Sequence, residues 1–219
     1  MVNLAAYRRI RAEVTAAGAA LVAVSKQRSM EDIQTLYDAG QRDFGENRTP
    51  ELVEKQAALP QDIRWHFIGH LQRNKVRDLI GFVHLIHAVD SLRLLREIDK
   101  RAAAADRQVS VLLQFHVAAE ANKHGLSAEG ATVLLTELGR TPLISTRVAG
   151  VMGMATFTDD EAQVGREFDE LVNHYTALRE DHFAAHAHFD QLSMGMSGDY
   201  PLALARGSTL VRVGSALFT

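Results

Sequence analysis

Short apolar runs alternate with longer stretches in which apolar residues recur every three or four positions. The short runs are typical of buried strands, and the longer pattern is typical of helices that pack by one face. Eight strands are predicted: Leu21–Val24, Arg42–Phe44, Trp65–Ile68, Leu85–Ala88, Ser110–Phe115, Arg147–Val151, His188–Gln191 and Leu210–Val213. Eight units in 219 residues give about 27 residues per unit, which suits a strand–helix repeat.

Capping signals mark several of the helices between these runs. Ser29 precedes an acidic first turn and Gly40 ends the same helical pattern, while Ser91 opens the helix after the fourth strand. An extra helix is predicted before the first strand, with its apolar face formed by Leu4, Tyr7, Ile10 and Val14.

Strict alternation of strands and helices implies parallel strands joined by right-handed crossovers. An open doubly wound sheet and a closed (β/α)₈ barrel both satisfy this rule. The count of eight favours the barrel, and no G-x-G-x-x-G follows the first strand to support a dinucleotide-binding sheet. We therefore predict an α/β fold in which residues 1–219 form a single (β/α)₈ TIM barrel with an extra N-terminal helix.

Composition narrows the class of protein further. Lys plus Arg total 24 against 27 for Asp plus Glu, and this balance argues against a nucleic-acid binder. Cysteine is absent, which excludes disulfides and cysteine-ligated metals. No apolar run approaches the roughly 20 residues of a membrane span, and the first residues lack a signal-peptide pattern. A cytoplasmic protein with no membrane partner is expected.

The loops after strands seven and eight carry small and hydroxyl residues, which is where TIM barrels commonly hold a phosphate. Glycines there let backbone N–H groups approach an anion, and serines can donate hydroxyl hydrogens. The residues in question are Ser193, Gly195, Ser197, Gly214 and Ser215. We predict a phosphate site at this part of the rim.

Lys26 follows the first apolar run, so its amine is expected at the mouth of the barrel. An uncharged lysine in that position can form a Schiff base with an aldehyde. Together with the phosphate loops, Lys26 indicates a phosphate-bearing aldehyde as the ligand.

Arg212 shares one side of the last strand with Leu210. If that side faces the barrel interior, the guanidinium needs an acceptor, and a pyridine nitrogen would serve. Because a guanidinium stays protonated, the facing ring nitrogen would remain unprotonated and would be a weak electron sink. Such a site is better suited to holding a cofactor than to exploiting it.

The spacing of the histidines in the sequence does not indicate a metal-binding site. His182 and His186 have helical i, i+4 spacing but lack the acidic partner of an H-E-x-x-H motif. The remaining candidates are assigned to the core or the surface: His66, His70, His84 and His87. No metal site is predicted.

Five segments together resemble the pyridoxal phosphate homeostasis proteins. They are Ala23–Lys26, Phe44–Asn47, His66–Lys75, Leu192–Ser197 and Gly207–Gly214. The resemblance implies a barrel like the N-terminal domain of alanine racemase, with pyridoxal 5'-phosphate (PLP) held as an internal aldimine on Lys26. Members of the family are regarded as carriers or regulators of intracellular PLP, without an established turnover reaction.

The same resemblance assigns roles around the cofactor. Ser193, Gly214 and Ser215 would contact the phosphate, Arg212 would contact the ring nitrogen, and Asn47 and Met194 would lie near PLP. It further implies PLP-dependent apoenzymes as partners and a monomer or weak dimer. The chain departs from the family at Ser215, where threonine is usual, and at His116, where asparagine is usual.

Two enzymatic alternatives remain at this point. A PLP-dependent racemase would need a second acid/base on the ring face opposite Lys26, which two-domain racemases take from a tyrosine of the partner's C-terminal domain. A cofactor-free Schiff-base aldolase would use Lys26 and the phosphate loops but would leave Arg212 without a role. Lys75 and Lys123 are predicted on the same rim and are candidates for secondary attachment of the cofactor.

Overall fold

Strands and helices alternate throughout the computed structural model, which describes residues 1–120 and 124–218. The strands of this part are β1 (Ala20–Val24), β2 (Asp43–Glu46), β3 (Arg64–Phe67), β4 (Leu85–Val89), β5 (Val109–Gln114), β6 (Thr146–Met152), β7 (Gln191–Ser193) and β8 (Leu210–Val213). The helices are α1 (Leu4–Ala16), α2 (Met30–Asp38), α3 (Thr49–Ala58), α4 (Val76–Leu79), α5 (Leu92–Ala104), α6 (Ala128–Arg140), α7 (Glu161–Asp181) and α8 (Tyr200–Leu204), with 3₁₀ turns at Arg73–Lys75 and Ser215–Leu217.

The eight described strands form one closed parallel barrel in chain order. Closure comes from β8, which pairs with β1 through Ala20↔Leu210 to Ala23↔Val213. The predicted (β/α)₈ barrel is therefore confirmed, and the open doubly wound sheet is excluded. Because every strand runs in the same direction, all the loops at the strands' carboxyl ends share one rim.

Side chains alternate between two apolar cores, as the two-residue period of a strand requires. The larger core lies between the outer face of the strands and the helices, and it includes Phe44, Ile86 and Phe168. The smaller core fills the barrel and consists of Val22, Leu85, Ala88, Leu112, Ala149, Met152 and Leu210. Along a regular stretch of strand, positions two residues from one of these therefore point into the barrel, whereas irregular pairing of β4 with β5 and of β5 with β6 interrupts the alternation.

The predicted N-terminal helix is confirmed as α1. Asn3 caps it by accepting a hydrogen bond from the N–H of Ala6, and its apolar face buries Tyr7, Ile10 and Val14. None of the helices in the described ranges combines the length and the apolar character needed to span a bilayer.

The seventh strand was predicted too early, at His188–Gln191. The structure has turns up to Asp190, and β7 runs from Gln191 to Ser193. Phe189 stacks on Phe183, with ring centroids 4.4 Å apart, instead of taking a place in the sheet. The apolar residue that suggested a strand therefore packs against another aromatic ring.

Candidate functional site

Three of the predicted site residues follow neighbouring strands at the carboxyl rim. Val24 of β1 pairs with Gly45 of β2, so Lys26 and Asn47 each lie two residues beyond this pair. On the other side of β1, a Cβ added to Gly214 would lie 3.1 Å from the Cβ of Val24. The loops that carry Lys26, Asn47 and Gly214 therefore meet at one part of the barrel mouth.

Lys26 lies in the turn directly after β1, and its side chain is exposed. Within the described ranges, no hydrogen bond or ion pair engages its amine. The N–H of Arg28 donates to the carbonyl of Ser25 at 3.0 Å, and Gln27 adopts a left-handed conformation with φ of 60°. This tight turn fixes the backbone around Lys26 and leaves its side chain open to solvent.

A buried ion pair holds that turn against the barrel. Glu46 accepts hydrogen bonds from the Ser25 hydroxyl at 2.6 Å and from Lys55 Nζ at 2.7 Å. Lys55 also donates to the Ser25 carbonyl at 2.8 Å, and Glu51 accepts from the N–H of Gln27 at 2.6 Å. The residues on both sides of Lys26 are thus fixed from β2 and α3.

Burial raises the pKa of the Glu46 carboxyl, against the lowering effect of the hydrogen bonds from Lys55 and Ser25. Its Oε2 atom has no hydrogen-bond partner among the described residues. The Glu46 carboxylate therefore depends on Lys55 for compensation of its charge.

The loops after β7 and β8 converge on one oxygen atom. The N–H groups of Gly214 and Ala216 both donate to the hydroxyl oxygen of Ser197, at 3.1 and 3.4 Å. Gly195 has φ of 93°, and a Cβ there would lie 2.6 Å from the Cβ of Ala203. Two backbone donors therefore point at a single oxygen atom, an arrangement that also suits an oxygen of an anion such as phosphate.

Arg212 points into the barrel, as its spacing from Leu210 predicts, and it is 4% exposed. Its guanidinium donates to the Ser193 hydroxyl at 2.5 Å and to the Gly153 carbonyl at 3.0 Å. Burial lowers the pKa of Arg212 to about 10, while the charge of Asp199 opposes this shift. Arg212 therefore has two acceptors within the protein, and the suggested pyridine nitrogen stays a prediction.

Ser193 is the last residue of β7 and is fully buried, whereas the sequence placed it in the following loop. Besides accepting from Arg212, its hydroxyl lies 3.1 Å from Nδ1 of His87. His87 Nε2 lies 2.9 Å from His66 Nδ1, and His66 Nε2 lies 3.1 Å from Asp43 Oδ1. A continuous chain of hydrogen bonds, named here the barrel relay, thus runs from Arg212 to Asp43.

The barrel relay has one consistent set of donors if both imidazoles are neutral. Ser193 then donates to His87, His87 donates to His66, and His66 donates to Asp43. Desolvation lowers the pKa of His87 well below its usual value, and the positive charge of Arg212 lowers it further. Burial would raise the pKa of Asp43, but the hydrogen bonds from His66 and Arg64 outweigh it and lower that pKa.

The other predicted residues differ in how far their side chains are buried. The side chain of Met194 is fully buried in the core between barrel and helices, so its backbone is the part that faces the loops. Ser215 is exposed and begins the last 3₁₀ turn, while Lys75 is half-buried in the turn after β3. Lys123 lies outside the described residues.

The sequence did not identify the buried residues that contact the predicted site residues inside the barrel and behind the Lys26 turn. His87 has the same parity as Leu85 on β4, a position that the alternation of the strand places inside the barrel. That signal was available, but it did not identify Ser193 and His66 as the partners of His87. The clamp formed by Glu46 and Lys55 gave no sequence signal, because its members come from β2 and α3.

The site combines a rim lysine, two loops whose backbone N–H groups converge, and a buried arginine. The donor set fits PLP: the backbone amides suit the phosphate, the Lys26 amine suits the aldehyde, and Arg212 suits the ring nitrogen. In fold and site, this is a barrel of the alanine racemase N-terminal-domain class. The profile of the family "Alanine racemase, N-terminal domain" matches residues 4–219.

Curated relatives define the family more narrowly. A pyridoxal phosphate homeostasis protein of Deinococcus radiodurans is 41% identical over 199 residues, covering 90% of this chain and 88% of that protein. One of Synechocystis is 38% identical over 200 residues, with coverage of 90% and 89%. The chain belongs to the pyridoxal phosphate homeostasis protein family.

Solved structures agree with this assignment. PipY of Synechococcus elongatus without PLP has a TM-score of 0.90 at 34% identity, covering 98% of both chains. PipY with PLP bound has a TM-score of 0.87 at 33% identity, with the same coverage. Alanine racemase of Bartonella henselae is similar in fold, with a TM-score of 0.68 at 17% identity over 96% of this chain and 56% of that one.

Proposed function

We propose that this chain binds PLP as an internal aldimine on Lys26 and serves PLP homeostasis in the cytoplasm by buffering the cofactor and delivering it to PLP-dependent apoenzymes. The observation that carries the proposal is the convergence of the Gly214 and Ala216 amides on one oxygen, in a loop that packs against Val24. The names of the relatives and the PLP-bound structure of PipY support it.

Each part of the site has a task in this proposal. PLP supplies an aldehyde carbon that condenses with an amine. The Lys26 amine is exposed and unpaired within the described part of the chain, so it is accessible to that carbon. The Gly214 and Ala216 amides would contact the phosphate, together with the hydroxyls of Ser197 and Ser215.

Arg212 would hold the ring nitrogen of PLP and would set the charge beside it. Two N–H groups of its guanidinium are used by Ser193 and Gly153, which leaves the others to donate to the ring nitrogen. A guanidinium beside that nitrogen keeps it unprotonated and disfavours carbanion chemistry. We therefore propose retention and transfer of PLP, rather than turnover of an amino acid, as the role of the site.

Lysine mapping tests the attachment. Purified full-length protein loaded with PLP should show a visible absorbance band, and borohydride should fix the adduct on the peptide that contains Lys26. Lys26→Ala should lose the band, whereas Lys75→Ala, a matched change at another rim lysine, should keep it. An adduct on a different residue, or a protein that stays colourless with PLP, would overturn the proposal.

Activity assays test the absence of turnover. The loaded protein should not racemise alanine or other amino acids, and mixing it with a PLP-dependent apoenzyme should restore that enzyme's activity. Racemisation that disappears in Lys26→Ala would instead establish a PLP enzyme. Failure to reactivate any apoenzyme faster than an equal concentration of free PLP would contradict direct delivery.

A further inference from the structure

Two imidazoles and a carboxylate meet on the rim, away from the loops that follow β7, β8 and β1. His70 follows β3, Asp90 follows β4, and His124 precedes α6. Nδ1 of His70 lies 3.4 Å from Asp90 Oδ2, and Nδ1 of His124 lies 4.0 Å from the same oxygen. One ligand atom from each residue falls within 4.8 Å of the other two. These three residues are called the rim triad.

The backbone position of each rim-triad residue is fixed by its surroundings. Gln114 Nε2 donates to the carbonyl of His124 at 2.8 Å. Gly69, which precedes His70, lies so close to Asn47 that a Cβ there would overlap the Asn47 backbone. Asp90 immediately follows the last residue of β4, and its side chain is 16% exposed. The three side chains therefore start from fixed positions.

The two imidazole rings of the rim triad are stacked, with centroids 4.1 Å apart and an angle of 17° between their planes. Both present Nδ1 towards the same carboxylate oxygen. Imidazole nitrogen and carboxylate oxygen bind Zn²⁺ at about 2.0–2.2 Å, which separates tetrahedral ligand atoms by roughly 3.3–3.5 Å. The 3.4 Å between His70 and Asp90 already matches this separation, and the 4.0 Å between His124 and Asp90 must shorten. Because an imidazole nitrogen binds a metal in the plane of its ring, the two stacked rings must also turn apart so that both Nδ1 atoms face one ion.

We propose that the rim triad is a binding site for a divalent transition-metal ion such as Zn²⁺. His70 Nδ1, His124 Nδ1 and Asp90 Oδ2 would be its protein ligands, and solvent would complete the coordination. Bound metal would join the loops after β3, β4 and β5. The sequence did not predict this site, because its ligands are separated by 20 and 34 residues.

A second group with ligand spacing, at Asp43, His66 and His84, is a poorer candidate. Arg64 donates to both carboxylate oxygens of Asp43, at 2.6 Å from Nε and 2.5 Å from Nη2. A guanidinium at this position occupies the carboxylate and repels a divalent cation. The Asp90 carboxylate of the rim triad is contacted by two imidazoles, which are themselves metal ligands.

Calorimetric titration tests the proposal on the full-length protein after treatment with a chelator. ZnCl₂ should bind at one ion per chain through the rim triad. His70→Ala, His124→Ala and Asp90→Asn should each weaken this binding by about tenfold or more, while the thermal unfolding of the metal-free variants stays like that of the parent. All three positions lie on loops, so the variants should fold.

The double variant His182→Ala/His186→Ala is the matched control, since both residues are exposed histidines remote in sequence from the rim triad. It should bind Zn²⁺ as the parent does. Co²⁺ should give a visible d–d spectrum that is absent in His70→Ala. The proposal is wrong if Zn²⁺ does not bind, if binding survives loss of all three rim side chains, or if the control variant abolishes it.

Discussion

At the scale of single residues, the Ser193 hydroxyl has partners inside the protein that the sequence did not indicate. Sequence reasoning assigned its hydroxyl to a phosphate, but that hydroxyl joins Arg212 to His87 inside the barrel. A hydroxyl can accept from a guanidinium and donate to a neutral imidazole at the same time. Ser193 therefore orients Arg212 beneath the mouth, and the phosphate role of its side chain stays a prediction.

Ser193→Ala should destabilise the fold by about 2–4 kcal/mol, because it leaves buried donors and acceptors of Arg212 and His87 without a partner. Urea unfolding measures this loss. Ser110→Ala is the control, since Ser110 lies half-buried on β5 and its hydroxyl forms no hydrogen bond within the described ranges. Equal unfolding midpoints for the two variants would contradict the linking role of Ser193.

The pair of Glu46 and Lys55 leads to a second prediction at this scale. Lys55→Met should cost about 3–5 kcal/mol, because it leaves a buried carboxylate without its cation. It should also weaken PLP binding by freeing the turn that carries Lys26. Urea unfolding and PLP titration measure the two effects.

The control for Lys55→Met is Arg140→Met, which breaks an exposed ion pair with Glu137. Its unfolding midpoint should equal that of the parent, because exposed pairs contribute little. If Lys55→Met unfolds no more easily than this control, the clamp does not stabilise the turn.

At the scale of elements, most strands could be predicted because burial on both faces gives a continuous apolar run. Leu21–Val24 is such a run and lies within β1. Leu210–Val213 matches β8, although Arg212 interrupts its apolar residues. The seventh strand could not be located, because Phe189 stacks on another ring and β7 has three residues. Short strands take their bounds from pairing with neighbours, which the sequence does not show.

Gly150 sets the pairing of β6 with β7. It has φ of 153°, it pairs with Gln191, and a Cβ there would overlap the Gln191 carbonyl oxygen. Gly150→Ala should therefore displace β7 and lower the thermal stability strongly, as measured by the melting temperature. It should also impair PLP binding, since Ser193 ends the same strand.

The comparison for Gly150→Ala is Gly139→Ala, on the exposed part of α6 with nothing within 4 Å of an added Cβ. That change should stabilise the protein by about 0.5–1 kcal/mol through helix propensity. A parent-like melting temperature for Gly150→Ala would show that β7 adapts to a side chain.

At the scale of the whole molecule, the barrel relay crosses the interior from Arg212 under the mouth to Asp43 at the start of β2. Its buried imidazole at His87 is neutral in the folded state, because desolvation lowers its pKa. Burial lowers the pKa of His84 to about 4, so His84 also binds a proton less readily in the folded state than in the unfolded chain. The unfolded chain therefore binds more protons than the folded chain below the ordinary histidine pKa.

Stability should consequently be fully present above about pH 6.5 and should fall as the pH decreases from there, by up to about 1.4 kcal/mol per pH unit for each such histidine. Urea unfolding at a series of pH values measures this dependence. His87→Gln should flatten it, because glutamine does not titrate. Identical pH dependence in the parent and His87→Gln would mean that His87 is not held neutral by the fold.

The sequence by itself determined the barrel, the family and the chain positions of Lys26, Arg212 and Gly214. It could do so because strand period and local motifs are properties of neighbouring residues. The tertiary structure decided which side chains meet: Ser193 with His87, Glu46 with Lys55, and His70 with Asp90. Those contacts join residues of different strands, helices and loops, and only the folded barrel brings them together.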